Sequence, residues 1–297
     1  MFNNILIIGC GLIGSSILRA TLSKKLAKKI YIFEKSKKYI SALKTINKKL
    51  IFIKSLDQKI SKMDLVILST PMSSYEKIIP NLNKFLNSKT VITDIGSTKE
   101  NIFNLKEKKL KKSLTWILSH PISGSEVSGP KHGRKNLFKN KWCIIIKDKN
   151  KDKLNKVKSF WKKLGSKVIL MDPKEHDKIF AITSHLPHLI AYNLIKTAQD
   201  FQKKDKKNLI KFSAGGLRDF SRIAASNEIM WRDIFFNNKK NMISAINLFS
   251  KNLNLFKKNI QNLEDNSLRK KLINSKKVRK QIVQLKQDIA KPDFGRD

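Results

Sequence analysis

Apolar residues along this chain follow two patterns, and the change falls near residue 173. Before it they stand in short, nearly unbroken runs at residues 5–8, 30–33, 51–53, 65–69, 90–93, 116–118, 143–146 and 167–171. Runs of this length without polar alternation predict strands buried on both faces. Amphipathic or basic helical segments separate most of them, and this alternation predicts a parallel sheet wound on both sides. The run at 167–171 is expected to complete that sheet. After Asp172-Pro173 the spacing changes to three and four, through Ile179, Ile182, Leu186, Leu189, Ile190 and Leu194. That period predicts one long amphipathic helix beginning at Pro173. Further helical patterns cover 206–212, 228–237, 240–259 and 266–290, with no evident strand. The expected division is an α/β domain at 1–173 and an all-helical domain at 174–297.

Composition narrows the classes. A chain of 297 residues with 40% apolar content suits two domains, each with its own core. No run approaches the roughly 20 apolar residues that span a bilayer, and no basic leader precedes the first strand, so a cytoplasmic protein without a membrane partner is expected. Cys10 and Cys143 stand far apart with no C-x-x-C, which predicts small buried thiols in a reducing compartment. The formal charge of +40, from 63 basic and 23 acidic side chains, is of the size that nucleic-acid binding can produce. The lysines, however, are spread over nearly the whole chain, with no basic arm. They read as a compositional bias on solvated faces that would still steer anionic substrates. No nucleic-acid partner is expected.

The chemistry-bearing residues cluster after the predicted strands. Gly9-Cys10-Gly11-Leu12-Ile13-Gly14 joins the first strand to a helix. Gly9 permits the turn, Gly11 lets backbone approach a pyrophosphate, and Gly14 lets helix pack on strand. Phosphates would then sit at the helix N-terminus, over Leu12 and Ile13. Glu34 ends the second run, 20 residues beyond Gly14, where a carboxylate receives ribose hydroxyls and disfavours a 2′-phosphate. Lys35 and Lys37 soften that preference. The pattern predicts a Rossmann-type doubly wound sheet that binds NAD. Ser69-Thr70-Pro71 closes the fourth strand, either as an ordinary turn or against the nicotinamide. Ser97, after the fifth, offers a hydroxyl to substrate or, with Thr98, caps the next helix. His120, after the sixth, is placed to take an alcohol proton as hydride leaves, or is bonded within its loop.

In the helical part, His185 and His188 share a face beside Ser184. They read either as ligand contacts at a helix interrupted by Pro187 or as satisfied core residues. No carboxylate or thiol cluster accompanies them, so no metal site is expected. Arg218 and Arg222 follow a Gly215-Gly216 turn. In a chain that otherwise prefers lysine, two guanidinium forks suit a carboxylate substrate, with an ion pair to Asp219 as the other use. Trp231-Arg232-Asp233-Ile234-Phe235 reads as core.

These motifs, in this order, resemble the prephenate dehydrogenase family, which includes the arogenate and cyclohexadienyl dehydrogenases. The likeness rests on the glycine motif, Asp94-Ile95-Gly96-Ser97-Thr98-Lys99, His120-Pro121-Ile122-Ser123-Gly124-Ser125-Glu126, His185-Leu186-Pro187-His188 and Gly215-Gly216-Leu217-Arg218-Asp219-Phe220-Ser221-Arg222. It implies a dimerising helical domain and NAD-dependent oxidative decarboxylation of prephenate, or of arogenate, in tyrosine biosynthesis. It implies His120 as catalytic histidine, Ser97 as its hydrogen-bonding companion, Ser184, His185 and His188 as pocket lining, and Arg222 on a substrate carboxylate. Ser123 and Leu217 stand where the family often has Ala and Phe. The chain leaves no room for a mutase or regulatory domain. Another two-domain dehydrogenase, of the 3-hydroxyacid type, is the alternative, and such enzymes rely on a Lys or Asp in the helical part. A basic nucleic-acid-binding protein without turnover is the other.

Overall fold

The apolar runs become six parallel strands: β1 (Phe2–Ile8), β2 (Ala27–Phe33), β3 (Ile51–Phe52), β4 (Leu65–Leu68), β5 (Val91–Asp94) and β6 (Thr115–Ile117). The computed structural model describes residues 2–205 and 208–287. The sheet order is β3-β2-β1-β4-β5-β6, with every pair parallel. Successive side chains enter opposite cores. Leu6, Ile8, Val66 and Leu68 pack on one face, and Ile5, Ile7, Leu65 and Ile67 on the other. This double burial is why the runs carry no polar alternation. Helices α1 (Leu12–Ser23), α2 (Lys37–Lys44), α3 (Tyr75–Phe85), α4 (Glu100–Lys109) and α5 (Lys151–Lys163) connect and cover the strands. The order reverses between β1 and β4, and ligands of such sheets bind beyond the carboxyl ends at that point.

Two expected strands lie elsewhere. The runs at 143–146 and 167–171 do not extend the main sheet. They form β8 (Trp142–Ile146) and β9 (Lys167–Met171) of a separate three-stranded sheet, with β7 (Ser119–Pro121) at its edge. β7 runs antiparallel to β8, and β9 runs parallel to it. The chain leaves the main sheet at Leu118, whose carbonyl accepts from Ile146 N at 2.9 Å. Pro121, without an N–H, suits an edge strand. His120 therefore sits on a strand rather than in a loop.

The remaining described elements are helical: α6 (Pro173–Phe180), a π turn (Ala181–His185), α7 (Leu186–Asp205), a 3₁₀ turn (Leu209–Phe212), α8 (Gly215–Ala224), α9 (Glu228–Asn237), α10 (Lys239–Gln261) and α11 (Asp265–Gln284). Residues 206 and 207 of the helix expected at 206–212, and residues 288–290 of that expected at 266–290, lie outside the described residues. The helix expected from Pro173 is not uniform. Ile179, Ile182 and Leu194 of its apolar stripe are exposed, while His176, Asp177, Ala181, His185 and Ala191 are buried. An α-helix advances about 100° per residue, so His176 and His185 would stand on opposite sides of a straight one. The π turn takes one extra residue and brings both to the inner side. Between the two parts, Trp231 and Ile234 of α9 join the core of Leu6, Ile8 and Val66. Asp233 accepts from Ser73 N at 3.0 Å.

Candidate active site

The glycine turn stands where the strand order reverses. Gly9 has φ +84°, and a Cβ there would lie 2.7 Å from Thr70 Cγ2 and 2.9 Å from Ser69 O. A Cβ on Gly14 would lie 2.3 Å from Gly9 O and 2.6 Å from Ser69 Oγ. Ser69 clamps this turn from β4: its hydroxyl donates to Gly9 O and its N–H to Ile8 O. Thr70 accepts from Ser74 Oγ at 2.8 Å, and Pro71 opens the short turn at Met72–Ser74. Gly11 differs, since a Cβ there meets nothing within 4 Å. It begins α1, whose N-terminus has no side-chain cap. The N–H groups of Leu12, Ile13 and Gly14 precede the first helical bond, from Ser15 N to Gly11 O, and favour an anion. Glu34 accepts from Cys10 N at 2.8 Å and Ser36 N at 2.9 Å, which fixes its carboxylate at the lip of the turn with lone pairs left over. Burial, then Glu34, pushes the Cys10 thiol far up, so it is an inert small side chain. These residues fit a dinucleotide: clearance at Gly11, backbone donors below it and an acceptor carboxylate beside it.

A buried ion pair organises the ends of β5 and β6. Asp94 Oδ2 accepts from Lys99 Nζ at 2.6 Å and from Gly96 N at 2.9 Å, and Oδ1 from Trp116 Nε1 and Ser119 N, both at 3.2 Å. Among the described lysines only Lys99 is fully buried. Ser97 and Thr98 lie on the turn between, and neither caps α4; Thr98 Oγ1 bonds Met72 Sδ instead. The cap comes from the helical part of the chain. Asp177 Oδ1 accepts from Lys99 N at 2.7 Å, and Oδ2 from Glu100 N at 2.9 Å.

His120 is 9% exposed. Its Nδ1 lies 2.8 Å from His176 Nε2, and His176 Nδ1 lies 2.7 Å from Asp177 Oδ1. The Phe180 ring packs on both imidazoles, with centroids at 5.0 and 4.5 Å. Burial first, then His176 and Lys99, pushes His120 well below the usual histidine range. Burial also lowers His176, against the opposing pull of Asp177. His176 and Asp177 were not among the residues singled out from sequence; their signal is a polar pair one turn into a helix, off its apolar stripe. The Ser97 hydroxyl makes no hydrogen bond with His120.

The remaining candidates line the helical side. His185 Nδ1 faces Asn238 Nδ2 at 3.1 Å, so its Nε2 carries the hydrogen, buried and without a partner among the described residues. Burial pushes His185 down to about 4. His188 donates to Ser184 O at 2.9 Å and stacks on Trp231 at 3.8 Å. Trp231, read from sequence as core, is buried there and gives His188 its stacking face. Arg222 on α8 reaches Glu126 Oε2 at 3.8 Å and Asp219 Oδ1 at 3.7 Å, and its Nε makes no hydrogen bond. Glu126 belongs to the loop after β7, whose Gly124 approaches Ile13. Arg218, one turn before Arg222, is exposed.

A dinucleotide-type turn and a buried neutral imidazole, closed over by the helical part of the chain, suit a nucleotide-binding oxidoreductase. The family model for the prephenate dehydrogenase nucleotide-binding domain matches residues 19–170, and that for the dimerization domain matches 172–274. The chain belongs to the prephenate dehydrogenase family. Cyclohexadienyl dehydrogenase of Zymomonas mobilis is 30% identical over 251 residues, 84% of this chain and 85% of that one. Prephenate dehydrogenase of Lactococcus lactis is 32% identical over 256 residues, 84% of this chain and 69% of that one. The crystal structure of Aquifex aeolicus prephenate dehydrogenase with hydroxyphenyl propionate and NAD+ superposes with a TM-score of 0.88. It is 33% identical, and the match covers 95% of this chain and 99% of that one.

Proposed function

We propose that this chain catalyses the NAD-dependent oxidative decarboxylation of prephenate to 4-hydroxyphenylpyruvate, in tyrosine biosynthesis. The observation that carries the reading is the neutral, buried His120 near the carboxyl ends of a sheet whose glycine turn fits a dinucleotide, in a chain of this family. NAD, when bound, supplies the hydride acceptor. Gly9, Gly11, Leu12, Ile13 and Gly14 hold its pyrophosphate, Glu34 its ribose hydroxyls, and Ser69, Thr70 and Pro71 support the turn beside it. His120 takes the proton of the ring hydroxyl as the hydride leaves the same carbon. The ring then loses carbon dioxide and becomes aromatic, a step that needs no further acid. Arg222, with Arg218 on the rim, holds a substrate carboxylate, while Ser97, Ser184, His185 and His188 line the pocket. Their contribution is chiefly orientation.

We assign residues 1–173 to dinucleotide binding and 174–297 to substrate binding and dimerisation, in a cytoplasmic homodimer without a nucleic-acid partner. Support for a second copy is the apolar surface of the helical part. Phe201, Phe212 and Phe236 are 58%, 80% and 71% exposed, and neither α8 nor α11 buries a residue within the chain. None of the described helices is long and apolar enough to cross a membrane. The test is NADH absorbance with purified protein, NAD and either prephenate or arogenate. Turnover with prephenate supports the reading; turnover with arogenate alone moves the substrate to the amino acid; silence with both, in folded protein that binds NAD, refutes it.

A further inference from the structure

We propose that His176 and Asp177 are positioning residues that set the catalytic tautomer of His120 and receive the charge it acquires, as a relay built across the two domains. The inference rests on the reading of His120 as the base. The argument is one of donor and acceptor bookkeeping along two short hydrogen bonds. A carboxylate accepts and does not donate. Asp177 Oδ1, 2.7 Å from His176 Nδ1, therefore holds the hydrogen of His176 on Nδ1. That leaves Nε2 of the neutral ring as an acceptor, 2.8 Å from His120 Nδ1. His120 Nδ1 must donate, and the lone pair of His120 is left on Nε2, which makes no hydrogen bond among the described residues. A base needs its free nitrogen toward substrate, and the neighbouring pair enforces it.

The same chain handles the proton. The O–H bond of the substrate breaks as a bond forms to His120 Nε2. The electron pair left on oxygen closes to a carbonyl as the hydride passes to the nicotinamide dinucleotide. The hydrogen on His120 Nδ1 moves toward His176 Nε2, and the positive charge comes to rest beside Asp177. Burial, then His176 and Lys99, disfavours charge on His120; burial and Lys99 disfavour it on His176 as well, but there Asp177 opposes them at hydrogen-bond distance. Asp177 is suited to that role, because Lys99 N and Glu100 N at the N-terminus of α4 also hold its oxygens, and that helix end favours negative charge. Phe180, packed over both rings, keeps water from competing for the bonds.

The test combines ring-nitrogen NMR of unliganded protein carrying ¹⁵N-histidine with steady-state kinetics. The chain has 5 histidines, few enough to assign by single substitution. In the unsubstituted protein the His120 signals are expected to show hydrogen on Nδ1. Asp177→Ala removes the acceptor that holds the hydrogen of His176 on Nδ1, so hydrogen on His120 should divide between Nδ1 and Nε2. The kcat should fall about a hundredfold or more, with KM for prephenate within about threefold. His176→Gln, which accepts from His120 and donates to Asp177 but cannot carry the proton, should keep the Nδ1 tautomer and still lose kcat. It also serves if the Asp177 variant does not fold. Hydrogen on His120 Nε2 in the unsubstituted protein, or kcat within twofold in the folded variants, overturns the relay. Silence of the unsubstituted protein with both substrates refutes the functional reading instead, and the NMR arm still decides the tautomer.

Discussion

Two glycines of one motif separate the fold from cofactor binding. Gly11→Ala places a methyl where nothing lies within 4 Å. The residue keeps φ −67° and ψ −152°, an extended conformation at the edge of the range alanine adopts. The gain from a stiffer unfolded chain, about 0.4–1 kcal/mol, is partly offset by alanine's weaker N-capping. The melting temperature should therefore change by less than about 2 °C. On the proposed placement, the dinucleotide would meet the methyl directly. An overpacking penalty of about 1–3 kcal/mol raises the Kd for NAD by roughly fivefold to 150-fold. Gly14→Ala is the opposite case. Its Cβ would fall about 1 Å short of ordinary contact with Gly9 O, a backbone atom fixed by β1 and Ser69, so α1 must retreat from the turn. The same 1–3 kcal/mol then falls on the folded protein, and melting drops by about 2–8 °C even without NAD. The assays are thermal melting without ligand and calorimetric titration with NAD. An unchanged NAD affinity in Gly11→Ala would refute the placement of the pyrophosphate over α1. A stable Gly14→Ala would refute the steric argument.

Other outcomes follow from the site. His120→Asn should retain NAD affinity and lose about 10²–10⁴ in kcat; an unchanged rate removes His120 from the chemistry. Arg222→Ala should raise KM for prephenate by about ten- to a hundredfold, the loss of a charged hydrogen bond, and an unaltered KM excludes the carboxylate role. Lys99→Met leaves Asp94 buried without its cation and should cost about 3–5 kcal/mol, read as a large drop in urea midpoint; a stability loss below about 1 kcal/mol rejects it. His185 titrates at about 4 in the folded chain against 6.5 unfolded, so the unfolded chain binds the proton first as pH falls. Stability is then full above pH 6.5 and is lost by roughly 3 kcal/mol on the way to pH 4. His185→Gln should flatten the difference between urea melts at pH 7 and pH 4.5, and equal differences in both proteins count against it.

Most of the fold was legible because parallel strands buried on both faces leave unbroken apolar runs, as at Ile5 to Ile8 and Leu65 to Leu68. The glycine motif was legible because each glycine answers a separate local demand. The three-stranded sheet was not, since only pairing partners distinguish its strands from those of the main sheet. β7, at three residues, is too short to carry a period. The inner face of α6 and α7 was misread for a definite reason. The apolar spacing from Ile179 to Leu194 was followed as if the helix were straight, and the π turn shifts its phase. His176 and Asp177 escaped with it. Their partners, His120 and the N-terminus of α4, are 56 and 77 residues away in the chain, and only the folded chain brings them together.

The cap that Asp177 places on α4 has a consequence for the order in which the molecule becomes competent. A nascent chain completes the glycine turn, the main sheet and His120 before residue 177 is made. At that stage α4 lacks its cap and His120 lacks its neighbour. Docking of α6 supplies both in one movement. A chain that ends near residue 173 would lack both contacts, together with Trp231 and Ile234 of the main core.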